Sequence, residues 1–246
     1  YSGDTTISAG TINVSGKIGN GSYSGAIANS GTFVMSSSTA HTLSGAISGS
    51  GGITKSGSGN LTLSGSNNFT GTITLSNGTL IGASDNALGS APTIAASNSP
   101  TFQTSSSSIT LPSLTVTGEI NLTSDIITTG AQSYSAATTI GASSGSAITV
   151  RTTNSNITFS DDVKLYQNTT INSGSGGGTI TFGGDMYTHN SASAERNLIV
   201  NAGTGDVTFS GSITGGGDCS PGLTEGNFTQ KSDLDFSGTF LNAANI

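Results

Sequence analysis

The densest group of ionisable side chains is Asp161-Asp162 with Lys164, followed toward the C-terminus by Asp218, Glu225, Asp233 and Asp235. Carboxylates clustered with Lys, Arg or His along one groove equip polysaccharide lyases and hydrolases, where one group gives a proton and another takes one. The same acids also read as solvated turn carboxylates, or as oxygen ligands for a weakly held Ca²⁺ brought together from neighbouring segments. The calcium-binding pattern Gly-Gly-x-Gly-x-Asp is absent. Bases are few and stand singly, at Lys17, Lys55, Arg151, Lys164, Arg196 and Lys231, which weighs against a catalytic groove. His41 and His189 have no His or Cys partner at metal-ligand spacing and read as surface residues. Cys219 is the one cysteine, which excludes an internal disulfide and a multi-cysteine metal site. In its Gly/Asp/Pro turn it reads as an incidental small residue, with a free thiol or an intermolecular link as the alternative. No catalytic, cofactor-binding or metal-binding residue is assigned, and no cofactor is expected.

Other patterns have simple explanations. Gly174-Ser-Gly-Gly-Gly178 lacks the Lys and helix of a phosphate loop, and no Gly-x-Ser-x-Gly stands between a strand and a helix. Asn-x-Ser/Thr sequons at Asn13, Asn20, Asn60, Asn68, Asn77, Asn121, Asn156, Asn168 and Asn227 follow from a chain rich in Asn, Ser and Thr. Thr72/Thr74 and Thr115/Thr117 raise an ice-binding reading, disfavoured because such a face needs an uninterrupted ladder while the units vary in length.

The net charge of −7 comes with no clustered basic face, which argues against nucleic acid. No apolar run approaches the roughly 20 residues of a membrane helix, so no membrane insertion is expected. No initiator Met or signal peptide begins the sequence, and any targeting segment is expected to have been removed or not included. Charged residues make up 8%, there are 37 Gly and no Trp, and mean hydropathy is −0.02. Disorder pairs low hydropathy with high net charge, so an ordered chain is expected, with a thin core of medium-sized aliphatics.

The elements that would position these side chains are short strands. An apolar–Thr–apolar triplet recurs at 61–63, 73–75, 109–111, 114–116, 148–150, 157–159, 180–182 and 207–209, placing two apolar groups on one side and Thr on the other. A second motif, apolar–Ser/Thr–Gly–any–apolar, recurs at 14–18, 23–27, 43–47, 69–73, 209–213 and 236–240, where the Ser-Gly pair allows a sharp bend between two faces. Residues 1–12 align without gaps on 69–80. Stacked strand–turn units of this kind predict an all-β fold, a parallel β-helix (β-solenoid) with three-sided coils of roughly 20–27 residues, occupying 1–246 as one body. Residues 84–108 read as an irregular coil or loop, and 191–197 as a protruding loop.

Residues 49–90 resemble the autotransporter-associated β-strand repeat of type V secreted bacterial surface proteins. Lys55, Leu61, Leu63, Gly65, Asn68, Phe69, Gly71, Gly78, Leu80, Ala87, Leu88 and Gly89 all fit its pattern. Residues 120–217 are similar to the looser repeats of filamentous-haemagglutinin-like proteins. The resemblance implies a right-handed parallel β-helix, a secreted passenger region at the bacterial cell surface or outside it, with roles in adhesion, aggregation, biofilm or fibre structure. The sequence begins and ends in mid-repeat without charged or proline-rich caps. Two expectations follow, continuation of a longer solenoid or end-to-end self-assembly into a filament. The leading reading is a structural and adhesive solenoid that binds itself and cell-surface glycans or matrix, with no enzymatic activity. A carbohydrate-active β-helix enzyme and a non-catalytic glycan-binding module are the alternatives.

Overall fold

The computed structural model describes residues 1–90, 92–142, 144–188, 196–215 and 234–240, of which 214–215 and 234–240 are described as backbone only. The chain winds through three faces in turn, and strands of successive coils pair in parallel, continuously on the second and third faces, whereas the first face has no strand among the described residues between Ile47–Ser48 and Ile126–Ile127. The first face opens as a three-stranded sheet of Thr5–Ile7, Ile27–Asn29 and Ile47–Ser48. The third face is a ten-stranded sheet from Ser22–Tyr23 to Ile213–Gly215, so nine coil-to-coil steps of about 4.8 Å give a rod about 45 Å long. The second face runs from Thr11–Val14 to the twelve-residue strand Leu198–Phe209, which continues through the first face as well and fuses the two into one 14-stranded sheet. The only helical element among the described residues is the 3₁₀ turn Gly19–Gly21.

Alternation fixes which side chains point inward. In Leu61–Leu63 and Ile73–Leu75 the outer residues of each triplet are buried and the middle Thr faces out. Register then stacks like on like. The second-face inner column runs Phe33, Ile53, Ile73, Ile94, Val116, Tyr134, Phe159, Phe182 and Phe209. Its last four rings lie nearly parallel, with centroids 4.8, 5.5 and 4.6 Å apart, at the spacing of offset aromatic stacks. The expected core of medium-sized aliphatics therefore holds for the four residues from Ile53 to Val116, with an aromatic before them at Phe33 and aromatics throughout the rest of the column. The triplet at 109–111 departs from the pattern, because only Leu111 pairs, in an isolated bridge to Thr128.

By register the coils run from 18 residues (Leu122 to Ile140) to 29 residues (Ile171 to Val200), and 36 residues separate Leu198 from its partner Leu234, so the expected range is overstepped at both ends. The corners absorb the difference. Residues 84–108, expected to be irregular, contain the strands Thr93–Ala96 and Thr101–Thr104. Pro92 and Pro100 stand at their entries, where a missing N–H is tolerated, and their carbonyls accept from Thr115 N (3.0 Å) and Asn121 N (2.9 Å) of the next coil. Of the expected loop at 191–197, residues 191–195 lie outside the described residues.

The Ser-Gly motif does mark bends, and the reason for its glycine is steric. Gly3, Gly25, Gly45 and Gly65 form one corner column, and Gly10, Gly31, Gly51 and Gly71 another. A Cβ on Gly25, Gly45 or Gly65 would fall closer than 3.0 Å to the glycine carbonyl oxygen one coil below, and the same holds for Gly31, Gly51 and Gly71. Gly45→Ala is expected to lower stability by about 1–3 kcal/mol, since rigid backbone rather than a movable side chain must give way. Gly16→Ala, where nothing lies within 4 Å of the new methyl, is expected to be neutral. Thermal unfolding followed by circular dichroism separates the two.

Candidate functional site

The acids that could do chemistry sit at the corners, and their oxygens are turned toward the backbone of the following coil. Asp4 Oδ1 accepts from Ala26 N (2.8 Å), Asp85 from Thr110 N (2.8 Å) and Asp125 from Thr149 N (2.7 Å). The Asp161-Asp162 pair belongs to the same system. Asp161 Oδ1 accepts from Asp162 N, Asp162 Oδ1 from Asp185 N, and Asp185 Oδ1 from Ser212 N, at 2.8, 2.8 and 2.7 Å. Each carboxylate thus supplies the acceptor that a bending backbone cannot, a charge-assisted bond to a main-chain donor.

Lys164 is not paired with these acids in a groove. It projects from the outer side of Val163–Leu165, with its ammonium 5.1 Å from the centre of the Tyr166 ring, a cation–π distance. One coil on, Tyr187 occupies the register position of Lys164 and donates its hydroxyl to Asp185 Oδ2 (3.0 Å). Asp161, Asp162, Lys164, Tyr166, Asp185 and Tyr187 thus form one polar and aromatic patch on the third face. Tyr187 and Asp185 join it through register alone, a relation that sequence spacing does not display. Of the other candidate acids, Asp235 is described only as backbone, while Asp218, Glu225 and Asp233 lie outside the described residues, as do Cys219 and His189. No three His, Cys, Asp or Glu side chains converge among the described residues.

His41 is a correction. Expected at the surface, it is 2% exposed and faces inward, at the first position of the strand His41–Leu43 and in register with Leu61. Its ring bonds locally: Nδ1 lies 2.9 Å from Thr39 O, and Nε2 accepts from Ile18 N at 3.3 Å. That arrangement assigns the proton of the neutral ring to Nδ1. His41-Thr42-Leu43 has the apolar–Thr–apolar form with His in an apolar place, and that alternation was the available signal.

Lys55 is buried completely, between Met35 and Leu75 in the second-face stack. Its ammonium donates to Gly57 O and to Asn77 O (3.0 Å), closing two successive corners from inside. Burial lowers its pKa from the ordinary lysine value. Asn67, 3% exposed, does a similar task where the first face lacks a regular strand. It accepts from Ile47 N (2.8 Å) and donates to Ala87 O (2.6 Å), spanning the coils on either side.

The outward Thr residues form a longer ladder than unequal coils suggested. Thr93, Thr115, Ser133, Thr158, Thr181 and Thr208 follow one another in register without a break. The ladder is one column wide over most of that length, since the parallel column Thr54, Thr74, Ala95 and Thr117 belongs largely to earlier coils. No helix among the described residues is long and apolar enough to cross a membrane.

Two variants test these roles. Asp162→Ala is expected to lose about 1 kcal/mol of stability and Asp162→Asn, which keeps the acceptor, almost none, as read from denaturant unfolding. The unfolded Lys55 side chain holds its proton up to about 10.5 and the folded one releases it at lower pH. The unfolded state therefore binds more protons in that window, and this group's contribution to stability rises as pH climbs toward 10.5. Against Lys55→Met, the parent should gain relative stability between neutral pH and pH 10.5. Burial raises the pKa of Tyr23 and Tyr134, an effect of opposite sign that is present in both proteins and cancels in the comparison.

Residues 1–14 and 53–81 match the family model of the passenger-associated-transport-repeat. These are the two stretches that contain the gap-free internal alignment, and the match agrees with the resemblance to autotransporter passenger repeats. No curated protein and no solved structure matches the chain.

Proposed function

We propose, from the two passenger-associated-transport-repeat segments and the solenoid that contains them, that this chain is a rigid structural and adhesive segment of a secreted bacterial passenger, displayed at the cell surface or in an extracellular fibre. The observation that carries the reading is the parallel pairing that runs from coil to coil without a break on the second and third faces, into which both repeat segments fit. The mechanism is mechanical. Backbone hydrogen bonds run along the rod axis, an inner stack fills the section, and a Ser/Thr/Asn exterior keeps the rod hydrated with few charges. Its partners in this reading are further solenoid coils, either of a longer chain or of a second copy stacked end to end, and glycans of a cell surface or matrix. The reading assigns no catalysis, and the use of Asp4, Asp85, Asp125, Asp162 and Asp185 as backbone acceptors supports that assignment.

Electron microscopy of the purified chain, together with its mass in solution, tests the proposal. Discrete rods about 45 Å long, or fibres with that axial repeat, are expected. Compact round particles would overturn the structural part, and depolymerisation of a polysaccharide by the purified protein would overturn the assignment of no catalysis.

A further inference from the structure

One corner groove gathers an Arg side chain and three Asn amides. It encloses about 490 Å³ and is lined by Arg151, Asn154, Asn172 and Asn201 over a floor of Gly, Ser and Thr. Register places Arg151, Asn172 and Asn201 one above another in successive coils, about 4.8 Å apart. Each of the two later coils carries the same pattern here, Asn-x-Gly-x-Gly, as Asn172-Ser-Gly-Ser-Gly176 and Asn201-Ala-Gly-Thr-Gly205.

The turn dictates the orientation of each amide. Asn172 Oδ1 accepts from Gly174 N (2.7 Å), Asn201 Oδ1 from Gly203 N (2.9 Å) and Asn154 Oδ1 from Gly176 N (2.7 Å). A backbone N–H can only donate, so the atom facing it is oxygen and the other is the NH₂. No described residue is bonded to these three NH₂ groups. Gly174 and Gly203 adopt left-handed conformations (φ +92° and +59°), which glycine adopts without steric penalty, and at these two positions no side chain projects into the groove. Arg151 supplies the single formal charge, and no carboxylate lines the groove.

We propose that this groove binds the carboxylates of a uronate-bearing polysaccharide. The guanidinium offers a planar pair of donors that matches a carboxylate. The ladder of amides above it offers further donors to sugar oxygens along an extended chain. The inference names a ligand class for the adhesive part of the function proposed above and rests on it. Because the chain carries a net charge of −7 and one cation in the groove, recognition works by contact rather than by a long-range field, and salt should weaken it only slightly.

Titration calorimetry of the whole chain with tetragalacturonate tests the inference, with a neutral galactose oligomer of equal length and sodium acetate as comparison ligands. Saturable binding of the uronate and none of the neutral oligomer is expected. Asn172→Asp and Asn201→Asp keep the oxygen that accepts the backbone N–H and replace the outward NH₂ by a carboxylate oxygen. Each should weaken binding about tenfold or more, with an unchanged melting temperature. Arg151→Gln, at an exposed position, should weaken it comparably and serves if either Asp variant fails to fold. Equal binding of the neutral oligomer, acetate binding as tight as the uronate, uronate affinity indifferent to these substitutions, or no uronate binding would each overturn the proposal. None of those results would bear on the rods seen by microscopy, whose absence would instead count against the structural reading.

Discussion

Backbone hydrogen bonds between parallel coils fix the vertical spacing of this molecule, and nearly everything else adapts to that spacing. At about 4.8 Å, a corner residue lies directly over the carbonyl of its counterpart below. A side chain pointing down the axis has nowhere to go. Gly25, Gly45 and Gly65 over Gly3, and Gly31, Gly51 and Gly71 over Gly10, are the direct consequence. The abundance of glycine is therefore a steric requirement of close stacking, and need not signal a flexible chain.

Where the backbone turns too sharply to offer its own acceptor, a short polar side chain takes over. Asp and Asn are suited to this, since a carboxylate or amide oxygen on a one-carbon stem reaches the N–H of the adjacent coil. Asp162 and Asp185 do so in sequence along the third face, and Asn156 and Asn168 do so elsewhere, accepting from Thr179 N and Asn197 N (both 2.9 Å). Lys55 performs the reciprocal task from inside, donating to carbonyls that two corners would otherwise leave unmet. An unmet buried polar group is expensive, so a buried ammonium is tolerated here despite its desolvation.

Much of this was legible in the sequence because strand alternation and corner glycines are local signals. Leu61-Thr-Leu63 and Ile73-Thr-Leu75 display their inner and outer sides without help from any other part of the chain. Residues that depend on register were harder to place. The ring stack of Tyr134, Phe159, Phe182 and Phe209 joins coils of unequal length, and unequal length hides the match between them. His41 was misplaced because its polarity outweighed its position in the alternation. Residues 84–108 looked irregular because Pro92 and Pro100 flank strands of only four residues each. Asp161 and Asp162 read as turn carboxylates, but the bonds that Asp162, Asp4, Asp125 and Asp185 accept from the next coil involve partners about 22–27 positions away, beyond any local pattern.

The division of labour between flat faces and corners also bears on how such a molecule changes through descent. Coils differ in length by several residues while the inner column remains continuous from Phe33 to Phe209. Mutation can thus lengthen a corner into a new surface loop without renegotiating the packing of its neighbours. A lineage of these rods can vary what it presents to its surroundings at each level while the scaffold beneath stays the same.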